Sequence, residues 1–274
     1  MRRSPIFLLA LLLSPQSPAW AADGPDLRGR LEQGGLVMGQ AEPGTLVRLD
    51  GHPVPTDAQG RFLLGFGRDA APQAVLELGE HRRTLDIARR DWPVQRIDGL
   101  PAPKVSPAPA DLERIARENR LLAERRGHSL SQALFLGGVI QPAEGPVSGV
   151  FGSQRILNGE ARAPHSGTDI AAGSGAVVRA MADGVVSLAH PDLFFTGATV
   201  MIDHGLGLQS VYAHLSRLEV SEGQAVRKGG TIGAIGASGR ATGPHLHWGV
   251  SWQEVRLDPQ TALAVLGSPP PPLP

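Results

Sequence analysis

The chain has 274 residues, a formal net charge of zero and 41% hydrophobic residues, enough apolar material for one or two packed domains and too much for a disordered or fibrous protein. Balanced charge and an aromatic content of 4% supply neither the basic surplus nor the stacking platforms expected of a nucleic-acid binder. Cysteine is absent, which excludes disulfides, a lipid-bearing cysteine and thiolate-held zinc, and leaves histidine and carboxylate as the metal-binding side chains.

At the N-terminus Arg2 and Arg3 precede an apolar run from Ile6 to Leu13, and Ala19-Trp20-Ala21 forms a small-x-small cleavage pattern. Together they predict a secretory signal peptide over residues 1–21. The run is far shorter than the ~20 residues that span a bilayer, so the expected mature protein is exported and soluble, without a stable membrane anchor. The periplasm is its expected compartment, with the cell wall or the medium as alternative.

Residues 22–96 read as a small all-β, sandwich-like domain, in which Pro43-Gly44, Asp50-Gly51 and Gln59-Gly60 separate runs such as Thr45–Leu49, Arg61–Phe66 and Thr84–Ile87. His52 and His81 stand apart from each other and from any carboxylate at ligand spacing. Both are expected at the surface, and the domain is expected to orient or dock rather than to catalyse.

Residues 97–136 form a connector and one helix. Pro101, Pro103, Pro107 and Pro109 predict a stiff extended segment. A helix of about four turns is expected next, with Leu112, Ile115, Ala116, Leu122 and Ala123 near one face and Asp111 as N-cap. Arg125-Arg126-Gly127 supplies a cationic last turn and a glycine stop. Residues 137–266 return to glycine-punctuated, β-branched segments: Val177–Ala180, Gly184–Leu188, Ala198–Asp203, Gln209–His214, Thr231–Ile235 and Leu246–Val250. No long helices alternate with them, which predicts an antiparallel sheet or open barrel. Residues 267–274 are too proline-rich to pack and are expected as a disordered tail.

Six of the nine histidines lie in this second domain. Four of them occupy three glycine-flanked segments, Pro164–Asp169, Tyr212–Leu215 and Gly243–Trp248. Alternate residues of a strand share a face, so His245 and His247 are expected to project into one cleft, where one ligates and the other works beside the metal. His165 and Asp169 add a nitrogen and an oxygen donor, brought together by a tight turn at Gly167. Two imidazoles and one carboxylate leave the fourth position of a zinc ion open, as in hydrolytic sites. On Gln209–His214, alternation groups Ser210, Tyr212 and His214 toward the cleft, with Val211, Ala213 and Leu215 in the core. A His-Glu-x-x-His motif, a nucleophile elbow and phosphate-loop spacing are all missing.

His165-x-x-x-Asp169, Tyr212-Ala213-His214-Leu215, the stretch from Gly223-Gln224-Ala225-Val226 to Ile232-Gly233, and Thr242-Gly243-Pro244-His245-Leu246-His247 occur in the order of a known family. Over roughly residues 148–259 the chain resembles the lysostaphin-like, LytM-type peptidoglycan endopeptidases. The resemblance implies a compact antiparallel β domain with a groove and zinc on His165, Asp169 and His247. It also implies catalysis assisted by His214 and His245, which between them orient water, take its proton and stabilise the oxyanion, with Tyr212 at the cleft wall. His190 and His204 match no ligand position and are expected to be structural. The implied substrate is the peptide cross-link of peptidoglycan, of the D-alanine–diaminopimelate type for an exported enzyme or a glycine bridge in a Gram-positive target. A regulatory protein partner is left unidentified.

Two other functions fit parts of the sequence. Degenerate members of that family lack zinc ligands and bind the wall or activate other hydrolases. Gly223–Gly229 also resembles the hairpin of biotinyl and lipoyl carriers, without the methionine-flanked lysine at its tip. Some relatives block the fourth zinc position with an upstream asparagine, a role open here only to Asn119 and Asn158.

Overall fold

The computed structural model describes residues 26–99 and 105–268. The expected signal peptide, Pro101 and Pro103 of the connector, and residues 269–274 of the expected tail lie outside the described residues. What is described is mostly β, with antiparallel sheets, two α-helices and no closed barrel.

The N-terminal region contributes β1 (Leu27–Gly29), β2 (Leu36–Gln40), β3 (Val47–Leu49), β4 (His52–Val54), β5 (Arg61–Gly65), β6 (Gln73–Leu78) and β7 (His81–Asp86). They form two antiparallel sheets ordered β1-β2-β5 and β4-β3-β6-β7. In β6 the period-two pattern turns Ala74, Leu76 and Leu78 inward and leaves Gln73, Val75 and Glu77 more open. Buried Val37, Val47, Phe62, Leu76 and Leu85 fill the core, while His52 and His81 are exposed.

Next come β8 (Val94–Ile97), α1 (Pro109–Gly127), a 3-10 turn (Leu134–Gly137), β9 (Val147–Gly149), β10 (Gln154–Leu157), β11 (Glu160–Ala161), β12 (Thr168–Ala171) and β13 (Val177–Arg179). They are followed by β14 (Gly184–Leu193), β15 (Gly197–Gly205), β16 (Leu208–Leu218), β17 (Ala225–Val226), β18 (Thr231–Ile235), β19 (His245–Trp252), β20 (Val255–Leu257) and α2 (Pro259–Leu266). The main sheet runs β17-β14-β15-β16-β19-β12-β9, with β13, β18 and β20 attached at its side. Every residue of β15 is buried, Thr199, Asp203 and His204 included, so this strand is covered on both faces.

Two features of the connector differ from expectation. Residues 94–97 pair in parallel with β10, Gln95 opposite Arg155, and so join the sheet order β11-β10-β8 instead of ending the first domain. The N-cap of α1 is Ala108, without a side-chain bond, and Asp111 sits inside the first turn. Pro109, its φ already helical, opens the helix earlier than a capping carboxylate would. No residue of α1 is fully buried and Leu112 is exposed. Leu121 and Leu122 rest on Leu188, Leu193 and Met201, while Arg114 pairs with Asp192 and Glu118 accepts from the Phe194 amide.

One apolar core is continuous across both regions. At their junction a Cβ on Gly65 would lie 2.9 Å from Trp252 Cβ, so the two regions meet at van der Waals contact where only glycine fits.

Candidate metal centre

Strand register assembles most of the site. Asp169 of β12 stands opposite His247 of β19, which stands opposite Ala213 of β16, and His245 stands opposite Ala171. Residues opposite one another project from the same face. That face therefore carries Asp169, His245 and His247, as the His-x-His spacing predicts. His165 arrives from the loop before β12. Its Nδ1 lies 3.0 Å from the Val150 carbonyl, its amide donates to Ser153 O at 2.9 Å and its carbonyl accepts from Gly152 at 2.9 Å. A carbonyl only accepts, so Nδ1 carries the proton and Nε2 presents a lone pair.

The three donors form a nearly equilateral triangle. His165 Nε2 and His247 Nδ1 each lie 2.9 Å from Asp169 Oδ1 and 3.0 Å from each other. Tetrahedral zinc with bonds near 2.0–2.1 Å places its donors about 3.3 Å apart, so donor types and spacing fit a zinc ion with little adjustment. Asp169 Oδ2 is turned away and bonded to Arg155 Nη2 at 3.1 Å. Only Oδ1 faces the two imidazoles.

Gly167 serves a purpose other than the expected turn. A Cβ there would meet Trp248 O at 2.4 Å and His247 Cε1 at 2.9 Å; its backbone has no positive φ. Glycine lets the His165 loop approach β19. Gly149 does the same at β9, where a Cβ would lie 2.5 Å from Asp169 Oδ2.

His214 reaches the cleft by a route that simple alternation misassigns. Ala213 pairs with His247 and shares its face, whereas Tyr212 pairs with Trp248 on the opposite, core-facing side. A regular strand would send His214 after Tyr212 into the core. Instead His214 has φ 63°, and this left-handed kink brings its ring beside the other imidazoles, with ring centroids 4.8 Å from His245 and 6.1 Å from His247. Tyr212 is not at the cleft wall. It is fully buried, and its hydroxyl accepts from the Met181 amide at 2.8 Å and shares a 2.9 Å bond with Ser210.

His214 Nδ1 bonds Ser238 O at 2.8 Å and His245 Nδ1 bonds Gly243 O at 2.9 Å. Both rings therefore hold their proton on Nδ1 and offer Nε2 as an acceptor. Burial, with the neighbouring His247 and His245, pushes His214 down to about 3, so it is neutral near pH 7. Burial likewise lowers His247 to about 4, outweighing its bond to Asp169. For Asp169 burial acts upward, but the adjacent His165 and His247 imidazoles outweigh it and hold the carboxyl well below its usual range.

The cleft measures about 310 Å³ and is lined by Gln95, Ile97, Leu157, Arg155 and Arg240 together with His214, His245 and His247. Arg155, Arg240 and Gln95 carry no spacing signal that singles them out in the sequence. His190 and His204 lie outside the cluster; His204 is buried, bonded to Asp183 O and Ser210. Asn119 is exposed on α1, and Asn158, at φ 49° in the β10–β11 turn, is not among the lining residues.

Residues 163–259 match the model of Peptidase family M23. Over 84 residues the chain is 48% identical to the DD-carboxypeptidase/endopeptidase Mpg of Neisseria meningitidis, covering 31% of this chain and 19% of that protein. It is 34% identical over 146 residues to the peptidoglycan DD-endopeptidase ShyB of Vibrio cholerae, covering 52% of this chain and 33% of the other. The chain thus spans a third or less of the length of these relatives. A solved structure from Pseudomonas aeruginosa assigned to peptidase M23 superposes with a TM-score of 0.65 at 29% identity, covering 86% of this chain and 96% of its own. That likeness extends beyond the metal cluster into the N-terminal sheets.

Proposed function

Because residues 163–259 form a domain of peptidase family M23, we propose that this chain is a zinc endopeptidase that hydrolyses peptide cross-links of bacterial peptidoglycan. The observation that supports this most is the complete donor triangle of His165, Asp169 and His247, flanked by the His214 and His245 imidazoles, which line the same cleft. A degenerate, purely wall-binding module would have no use for such a set.

In this donor set zinc supplies a Lewis acid and lowers the pKa of water to about 7. The chain's own residues do the rest. His165, Asp169 and His247 hold the ion, and Arg155 fixes which carboxylate oxygen is offered to it. His214 and His245 present acceptor nitrogens that orient the attacking water, take its proton and return one to the leaving amine. Once protonated, either ring can stabilise the developing oxyanion. The proposed bond is the D-alanine–diaminopimelate cross-link, met after export to the periplasm.

Zinc occupancy and wall solubilisation, measured on the same samples, test this. The parent chain is expected to hold one zinc and to solubilise diaminopimelate-type walls. His247→Ala is expected to lose both, whereas His214→Ala and His245→Ala keep zinc and lose about 10²–10⁴-fold in rate. One full zinc in His247→Ala would sink the ligand assignment. A zinc-loaded parent that leaves walls intact would point instead to a module that binds wall or activates other hydrolases.

A further inference from the structure

We propose that the N-terminal region positions a metal ligand: Trp92, which precedes β8, clamps the loop Val150–Ser153 that orients His165. The observations lie on both sides of that loop. On its inner side the Nδ1, amide and carbonyl hydrogen bonds of His165 all end there, at Val150 O, Ser153 O and Gly152 N, and Ser153 Oγ donates to Val150 O at 2.9 Å. On its outer side the contacts come from the N-terminal region. The Trp92 ring meets Phe151 edge-on, with centroids 5.7 Å apart. Gly152, at φ +80°, lies so close beneath that ring that a Cβ would sit 2.2 Å from Trp92 Cε3. Arg68 Nε donates to Gly152 O at 2.7 Å, and the Gln154 amide donates to Pro93 O at 2.8 Å.

Trp92 is itself held in place. The Arg90 guanidinium carbon lies 4.5 Å from its ring centroid and that of Arg68 5.6 Å, an arrangement that favours a fixed ring. Arg90 in turn pairs with Asp258, the N-cap of α2, at 2.9 Å. From Asp258 through Arg90, Trp92 and the loop to His165 the contacts are continuous. Groups that fix the orientation of a ligand are worth roughly 10–100-fold in metal affinity. Through Trp92 the N-terminal region thus acts on His165 by way of the loop that orients it.

The test, resting as it does on zinc being held at His165, measures zinc affinity by competition with a chromogenic chelator on the full chain at a temperature where each variant is folded. Trp92→Ala is expected to weaken zinc binding by roughly 10–100-fold, and Trp92→Phe to restore most of it. A merely structural role would lower the melting temperature and leave zinc affinity unchanged, and that result overturns the proposal. If Trp92→Ala does not fold, Arg68→Gln decides, weaker zinc supporting the clamp and unchanged affinity overturning it. His165→Ala is the reference: if it binds zinc as tightly as the parent chain, the ligand assignment itself is wrong and the clamp falls with it.

Discussion

Arg155 shows how much one side chain outside the donor set can decide. By bonding Asp169 Oδ2 at 3.1 Å it leaves Oδ1 alone toward His165 and His247, and so favours a single-oxygen ligand over a chelating one. Removing it would free the carboxylate to rotate and leave a buried charge short of one partner. Arg155→Ala is therefore expected to lower zinc affinity by about 10-fold or more, with Arg155→Lys, which keeps charge but not the planar fork, intermediate. Chelator competition checks this; parent-like affinity in Arg155→Ala would remove Arg155 from the metal site. At this scale the sequence is legible where chemistry restricts residue type. Histidine and aspartate in glycine-flanked segments mark themselves as candidate ligands. An arginine that acts by touching Asp169 does not, because arginines are common and this contact joins positions on different strands. Gly167 is legible as special, but for close approach to Trp248 rather than for a turn, a distinction that depends on which strand lies beside it.

Among the elements, the central strands are the most legible. The β-branched, glycine-bounded segments predict β14, β15, β16, β18 and β19 because local pattern and final environment agree. Alternation misleads at one point, the kink at His214. It cannot anticipate a residue held at positive φ by its surroundings, here an amide bond to Thr196 O and a ring bond to Ser238 O. α1 is legible as a helix, while its packing face is not: Leu112 stays exposed because Arg114 and Glu118 anchor the opposite orientation to the β14–β15 hairpin. Within β15, His204 gives the fold a pH dependence. Burial lowers its imidazole from 6.5 to about 4, outweighing the bond to Asp183 O. As pH falls through 6.5 the unfolded chain takes up this proton and the folded chain does not, so its contribution is full above about 6.5 and fades toward about 4. The loss is about 3 kcal/mol. Denaturant unfolding at pH 7.5 and 4.5 is expected to show this component in the parent and to lack it in His204→Gln. An equal pH slope in both chains would contradict it.

Across the whole molecule, the proline-rich connector predicts separate domains, yet the core runs unbroken from Phe62 to Trp252 and β8 joins the β10–β11 hairpin. Pairing between Val94–Ile97 and Gln154–Leu157 spans some 60 residues and leaves no local trace, since a short parallel strand needs only extended backbone. Its consequence is that Gln95 and Ile97 wall the cleft and Trp92 backs the His165 loop, so both regions together build the candidate metal centre. The most direct test of that centre is mass spectrometry of a purified, diaminopimelate-linked muropeptide dimer incubated with the zinc-loaded chain. Two monomers together heavier than the dimer by one water, formed by the parent chain and stopped by zinc removal, are the expected result. An intact dimer in the presence of fully zinc-loaded protein would contradict the proposed endopeptidase.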